Sequence, residues 1–273
     1  VQEVNFFGRF LGVLIALIFI LIGAVLLLSN LGFLAVDPIE LITNLWPLLL
    51  IAIGLYVIWM FARPLRTPQG GVTVSEKLGG AARAEVSVNF GAGELRITPL
   101  KDDENLFEGD FLIKPQKAVE RSGDLVKVKL SRSQWMFPPF FPAYRDDWRL
   151  RLNKRIAITL RLNTGASTVL ADLSENLIYW VEVNTGASDV TVKLPRAAGY
   201  TRAIVKGGAT NIKLEIPDGV GAKIRSTGAL GSLAVDERRF PRLDSGFASP
   251  DYESASNRVD IEISTGVSSV TVS

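Results

Sequence analysis

The sequence predicts a membrane α-helical hairpin followed by an all-β domain, a single-stack parallel β-solenoid with rungs of about 21 residues. Three observations predict this class. Two uncharged apolar stretches fall within the first 62 residues, a glycine-centred pentapeptide recurs five times between Arg161 and Ser273, and valine-rich segments of period two flank the copies.

The first apolar stretch, Phe10 to Ser29, holds 20 uncharged residues, of which 15 are Leu, Ile, Val or Phe. That matches the ~20 residues a helix needs to cross a ~30 Å hydrocarbon core. It lacks the short core and small-residue cleavage site of a secretory signal, so it reads as a permanent span. The second begins at Asp37-Pro38-Ile39-Glu40, where an acid caps the helix, proline takes the first helical position and the glutamate can reach back to the cap. From Leu41 to Ala62 it is uncharged, and Pro47 inside it is expected to kink the helix by removing one hydrogen bond. Residues 1–62 thus form an anchor with spans at about 10–29 and 41–62. Arg9 precedes the first span and Arg63 and Arg66 follow the second, while the connecting loop has no Lys or Arg. The positive-inside rule then puts both flanks in the cytoplasm of a two-span protein of the cell membrane.

Residues 63–84 read as a pliable connector, with Gly70-Gly71 and Gly79-Gly80, and residues 85–273 as the solenoid. The repeats are Asn163-Thr-Gly-Ala-Ser167, Asn184-Thr-Gly-Ala-Ser188, Lys206-Gly-Gly-Ala-Thr210, Ser226-Thr-Gly-Ala-Leu230 and Ser264-Thr-Gly-Val-Ser268, centred on Gly165, Gly186, Gly208, Gly228 and Gly266. These are expected to be structural corners, since small residues let successive rungs approach and Asn, Ser or Thr can satisfy backbone at the bend. The intervals are 21, 22, 20 and 38 residues, the last close to a double step with one copy blurred or replaced. Val181, Val183, Val190, Val192 and Leu194 alternate around one corner and are expected to face inward. An earlier half-copy, Asn89-Phe-Gly-Ala-Gly93, suggests that the coil begins before residue 90, and 236–257 reads as a polar loop. An antiparallel meander with similar turns is the rival architecture.

Residues 135–148 break the strand pattern. Trp135, Phe137, Phe140, Phe141, Tyr144 and Trp148 are six of the chain's 24 aromatics, and Arg149 and Arg151 follow. Two readings stay open: an interaction loop setting aromatic anchors and cations against lipid or a partner protein, or an apolar plug closing an end of the stack.

The composition excludes several function classes. With no cysteine and no histidine there are no disulfides, thiol nucleophiles, Ser-His-Asp triads or zinc sites of the usual kind, and no cofactor is expected. The carboxylates Asp102, Asp103, Asp146, Asp147 and Asp172 form no recurring register, so no enzyme is expected. A net charge of +2, spread along the chain, is no nucleic-acid footprint.

The segment Asn44-Leu-Trp-Pro-Leu-Leu-Leu-Ile-Ala-Ile-Gly54 resembles the Trp-Pro hairpin of LiaI/LiaF-type membrane proteins, and the downstream glycine repeats resemble the toast-rack region of LiaF-like cell-envelope stress proteins. The resemblance implies a membrane-anchored bacterial regulator or sensor whose partners are the lipid bilayer and a membrane protein, by that resemblance a sensor histidine kinase. A self-associating scaffold at the membrane, a homo-oligomer built through open sheet edges, is the alternative.

Overall fold

The computed structural model describes residues 71–101, 104–132, 146–228 and 231–273, together with Ile51 and Gly54, which are helical. The chain divides into two units, Val1–Leu65 and Arg66–Ser273. The two expected spans and Pro47 lie outside the described residues, and among the described residues no helix is long and apolar enough to cross a membrane.

The second unit is all β. Its fifteen strands among the described residues are β1 (Val72–Lys77), β2 (Arg83–Pro99), β3 (Asn105–Phe111), β4 (Gln116–Ser122), β5 (Leu125–Ser131), β6 (Asp146–Leu152), β7 (Ala157–Asp172), β8 (Ile178–Thr185), β9 (Asp189–Lys193), β10 (Tyr200–Glu215), β11 (Gly221–Gly228), β12 (Ser232–Val235), β13 (Arg242–Leu243), β14 (Gly246–Ala248) and β15 (Arg258–Val272). β1 lies in the stretch expected to be connector, held there by antiparallel pairing with β3.

Each rung is a first arm, a glycine corner and a second arm. β2, β7, β10 and β15 run through the corner unbroken, whereas β5 and β6, β8 and β9, and β11 and β12 are the two arms of rungs divided there. The rungs pair in parallel and in register, so the antiparallel meander is not adopted for the stack. Alternation does the sorting. Val181, Val183, Val190, Val192 and Leu194 are all at most 2% exposed, as expected, and their equivalents Leu160, Leu162, Ile261, Ile263, Val270 and Val272 join them in one continuous core. Leu173, Leu194 and Ile216, where each second arm ends and the chain turns back, stack as a further inward column, tied by Leu173 N to Lys193 O and Leu194 N to Glu215 O, both 2.9 Å.

The stack differs from a simple spiral in its order. In space the rungs run β5/β6, β2, β7, β8/β9, β10, β15, β11/β12. β2 precedes β5 in the chain but lies inside it, and β15 follows β11 but is inserted between β10 and β11. The interval of 38 residues is therefore not a blurred copy. The Gly266 corner stacks directly on Gly208, and the Gly228 corner lies beyond it against Thr265.

Outward-facing charge on the first arm accounts for this order. β4 presents Glu120, β5 Lys127 and Lys129, β2 Glu85, β7 Arg161, β8 Glu182, β10 Arg202 and Lys206, β15 Asp260 and Glu262, and β11 Lys223 and Arg225. Sign alternates at every step, apart from Arg83 and Arg258 at the first position of their strands. Arg161 lies 3.3 Å from Glu85 and 3.9 Å from Glu182, Lys206 3.2 Å from Glu182, Arg202 3.1 Å from Glu262, and Arg225 3.0 Å from Asp260. Stacking in chain order would instead set Lys129 against Arg161 and Arg202 against Lys223, and like charges directly opposite destabilise a sheet. Each exposed pair contributes only about 0–1 kcal/mol. Every rung presents a similar alternation of apolar residues inward, however, so these small outward differences favour the observed order.

Both ends are closed. At the first, β1 and β3 continue the second arm beyond β6 while β4 continues the first arm beyond β5. At the other, β14 and β13 extend β11, and Phe240, 1% exposed, packs onto the core from the segment expected to be a polar loop.

Candidate functional site

The aromatic and cationic segment belongs to the first rung. Asn89 of β2 pairs with Ser131 and Gly93 with Asp146, so where 90–92 join the two arms of β2, 132–145 join the two arms of the outermost rung. The expected insertion thus falls in sequence at the corner position of that rung. Trp135, Phe137, Phe140, Phe141 and Tyr144 lie outside the described residues.

The three remaining candidates all sit on β6, and the structure separates them. Trp148 is 1% exposed, packed edge-on against Phe90 at 5.3 Å and Phe111 at 5.0 Å between ring centres. Its indole Nε1 donates to Asp146 Oδ2 at 2.8 Å, so it is a core residue and does not offer its ring to a surface. The signal was present in the sequence: Asp146-Asp-Trp-Arg-Leu-Arg-Leu152 alternates with period two, placing Trp148, Leu150 and Leu152 inward. Arg149 points out and is exposed. Arg151 is held at 2.7 Å from Glu108 and 2.9 Å from Asp110, and its hydrogen bond keeps the Asp110 carboxyl below the usual carboxylate range. Burial pushes the Asp146 carboxyl up, opposed by the bond from Trp148, and its other oxygen is buried without a partner among the described residues.

The corners form columns. Gly165 would place a Cβ 2.6 Å from the Gly91 carbonyl, Gly186 one 3.1 Å from that of Gly165, Gly208 one 2.9 Å from that of Gly186, and Gly266 one 3.0 Å from that of Gly208. Beside them Asn184 Nδ2 donates to Asn163 Oδ1 at 3.0 Å, and Asn163 Nδ2 to Asn89 Oδ1 at 2.9 Å. Inside the bend Ser188 Oγ donates to Gly165 O and accepts from Ser167 N, and Ser268 Oγ does the same for Gly208 O and Thr210 N. A shallow cavity of 510 Å³ runs along this ridge. Its hydroxyls are committed to neighbouring rungs, and the adjacent Asp189 accepts from Asn211 at 2.8 Å. These hydrogen bonds run between neighbouring rungs and tie the stack together at the corner. Among the described residues no cluster of carboxylates could hold a metal ion.

The end carrying the enlarged corner is strapped shut. Glu76 of β1 takes Lys117 at 2.9 Å and Arg121 at 2.7 Å, both from β4, and the two cations also donate to the carbonyls of Ser75, Lys77 and Leu78. Burial raises the Glu76 carboxyl, but the bonds from Lys117 and Arg121 outweigh it and leave it below the ordinary 4.5. A carboxyl lowered on folding adds stability above its unfolded pKa, and that stability is lost as pH falls through the folded value. Glu76→Gln is expected to cost about 1 kcal/mol at pH 7. Urea midpoints should show the gap from the parent closing as the pH falls below the ordinary carboxylate range.

The model for the N-terminal domain of toast_rack matches residues 67–215, from just before β1 to the end of β10. The chain belongs to the toast-rack family. Ahead of the toast-rack domain, residues 13–58 match the LiaI-LiaF-like transmembrane region. Among solved structures, a candidate cell adhesion protein from Clostridium sporogenes shares the toast-rack fold, with a TM-score of 0.67 at 20% identity over 74% of this chain and 98% of its own. A candidate adhesin from Bacteroides fragilis reaches a TM-score of 0.25 at 10% identity over 76% of this chain and 99% of its own, too little to bear on fold. No curated protein matches the chain. A LiaI-LiaF-like transmembrane region joined to a toast-rack domain fits a membrane-associated protein of the cell envelope, and neither family is enzymatic in kind.

Proposed function

We propose that this toast-rack protein is a membrane-anchored regulator of the bacterial cell envelope that binds a membrane protein partner through its transmembrane region and its β-solenoid. The observation that carries the reading is the enlarged corner. Successive rungs turn through the same compact glycine bend, and only the outermost one described spends 132–145 on it, filled with Trp135, Phe137, Phe140, Phe141 and Tyr144. Among the described residues of this rung, Trp148, Phe107 and Phe111 fill the core and the Glu76 strap ties the edge. Clustered aromatic side chains are common anchors of a protein interface. In this reading the solenoid lies on the cytoplasmic side of a two-span anchor and the partner is a sensor histidine kinase.

Closure of the ends counts against an end-to-end scaffold. β12 has four residues and β13 two, and cations from β4 occupy carbonyls of β1, all devices that blunt edge pairing.

The test replaces 133–145 with a corner of the Asn-Thr-Gly-Ala type, leaving β6 intact, and compares co-purification from mild detergent. The expected result is loss of an enriched membrane partner with little change in melting temperature. A partner retained by the shortened protein, or none enriched by the full chain, would defeat the reading. A reporter active on one side of the membrane, fused after Ser273, checks the cytoplasmic placement.

A further inference from the structure

β15 is the last strand of the chain and yet an inner strand of the stack. It pairs in parallel with β10 along one edge, from Tyr200–Arg258 to Leu214–Val272, and with β11 and β12 along the other. An inner strand cannot leave without opening a slot.

Charge disfavours closing of that slot. With β15 gone, β10 and β11 would meet with Arg202 facing Lys223 and Ile204 facing Arg225, by the registers each now shares with β15. β15 separates the two basic strands with Asp260 and Glu262, set 3.0 Å from Arg225 and 3.1 Å from Arg202, while Val259, Ile261, Ile263, Val270 and Val272 fill the core below. The lead-in segment exposes Asp251, Glu253, Ser254 and Ser256, is turned by bonds from Ser254 N and Ala255 N to Asp251 O, and spans about 26 Å over residues 250–257 when extended at ~3.3 Å per residue.

We propose that the gap between β10 and β11 is an acceptor site for an acidic, alternating β-strand, and that β15 of a second copy of this chain occupies it in a reciprocally exchanged dimer. Each contact of the resident strand is reproduced by the incoming one, so the exchange is close to neutral in contact energy. Confinement of anchored chains to one membrane raises the effective concentration that favours it. The acids give selectivity, because a neutral or basic strand leaves Arg202, Lys223 and Arg225 facing like charge or nothing.

The chain has no cysteine, so a cross-link can be placed cleanly. Lys213 of β10 faces Thr271 of β15, and both are exposed. Full-length Lys213→Cys and Thr271→Cys chains, purified in mild detergent, are mixed, warmed, cooled and oxidised. The Lys213→Cys/Thr271→Cys double variant serves as the geometric control. The expected product is a covalent dimer in which the cross-linked peptides come one from each chain. Adding Asp260→Lys and Glu262→Lys to the Thr271→Cys chain should lower its yield at least about tenfold. An acceptor carrying Arg202→Glu, Lys223→Glu and Arg225→Glu should restore it, which guards against simple misfolding of the reversed arm. Internal cross-linking in the double variant with none between the single variants would overturn the exchange. Equal capture of the reversed arm would overturn the charge selectivity, and a double variant that fails to cross-link would overturn the register itself.

Discussion

Trp148→Ala is expected to destabilise the toast-rack domain by ~3–5 kcal/mol. At ~2–4 °C per kcal/mol for a domain of this size, the melting temperature should fall by about 10 °C or more. The side chain is 1% exposed and is the largest fully buried one among the described residues. Three losses coincide on its removal: the transfer energy of a buried indole, the edge-on contacts with Phe90 and Phe111, and the hydrogen bond that the Asp146 carboxyl accepts. Trp148→Phe restores much of the volume but not the donor, so the difference between the two variants reports packing, while the loss that remains in Trp148→Phe includes the hydrogen bond, about 1–3 kcal/mol when a buried carboxyl is left unpaired. Arg149→Ala, one residue away and exposed, should move the melting temperature by little. A similar loss in Arg149→Ala would mean that β6 is not set with Trp148 inward.

This pair also shows where the sequence was legible. Valine at every second position fixed which side chains face the core, because a one-residue slip would send the whole apolar set to water. Corners were legible for a related reason: few residues besides glycine let carbonyls of successive rungs approach as Gly165 and Gly91 do. In β6 the same alternation was masked by the aromatic run ahead of it, so that Trp148 read as the end of a loop when it begins a strand's inward row. The order of the rungs was hidden more deeply. Ala203 and Val205, Ile261 and Ile263, and Ala222 and Ile224 offer nearly interchangeable inward pairs, so apolar pattern alone allows β10 to stack on β11 as readily as on β15. What distinguishes the two is the sign of the residues between them, Arg202 against Asp260 or against Lys223. That signal becomes readable only once the outward positions are known. The enlarged corner shows the opposite case, since composition marked 135–148 as special while only the register of the flanking strands reveals that it replaces a turn of three residues.

Glycine substitutions along the corner should produce a graded series set by distance. Gly165→Ala places its Cβ 2.6 Å from the Gly91 carbonyl, Gly208→Ala 2.9 Å from that of Gly186, and Gly186→Ala 3.1 Å from that of Gly165. Backbone on an inner rung can yield only by moving its neighbours, so the closest approach should be the most destabilising, from about 1 kcal/mol at Gly186 to about 3 at Gly165. Gly93→Ala should exceed them all at about 4 kcal/mol or more. Its backbone lies at φ +127°, which side-chain-bearing residues avoid, and the added Cβ runs directly into the Asp146 carbonyl where the enlarged corner rejoins the stack. Gly80→Ala separates the two causes. It shares a positive φ of +82° but meets nothing within 4 Å, so it should lose only about 1 kcal/mol. Urea unfolding of the five variants decides the matter: equal losses at Gly80 and Gly93 would assign the cost to dihedral strain, whereas the expected gap assigns it to the spacing between rungs, on which the whole stack depends.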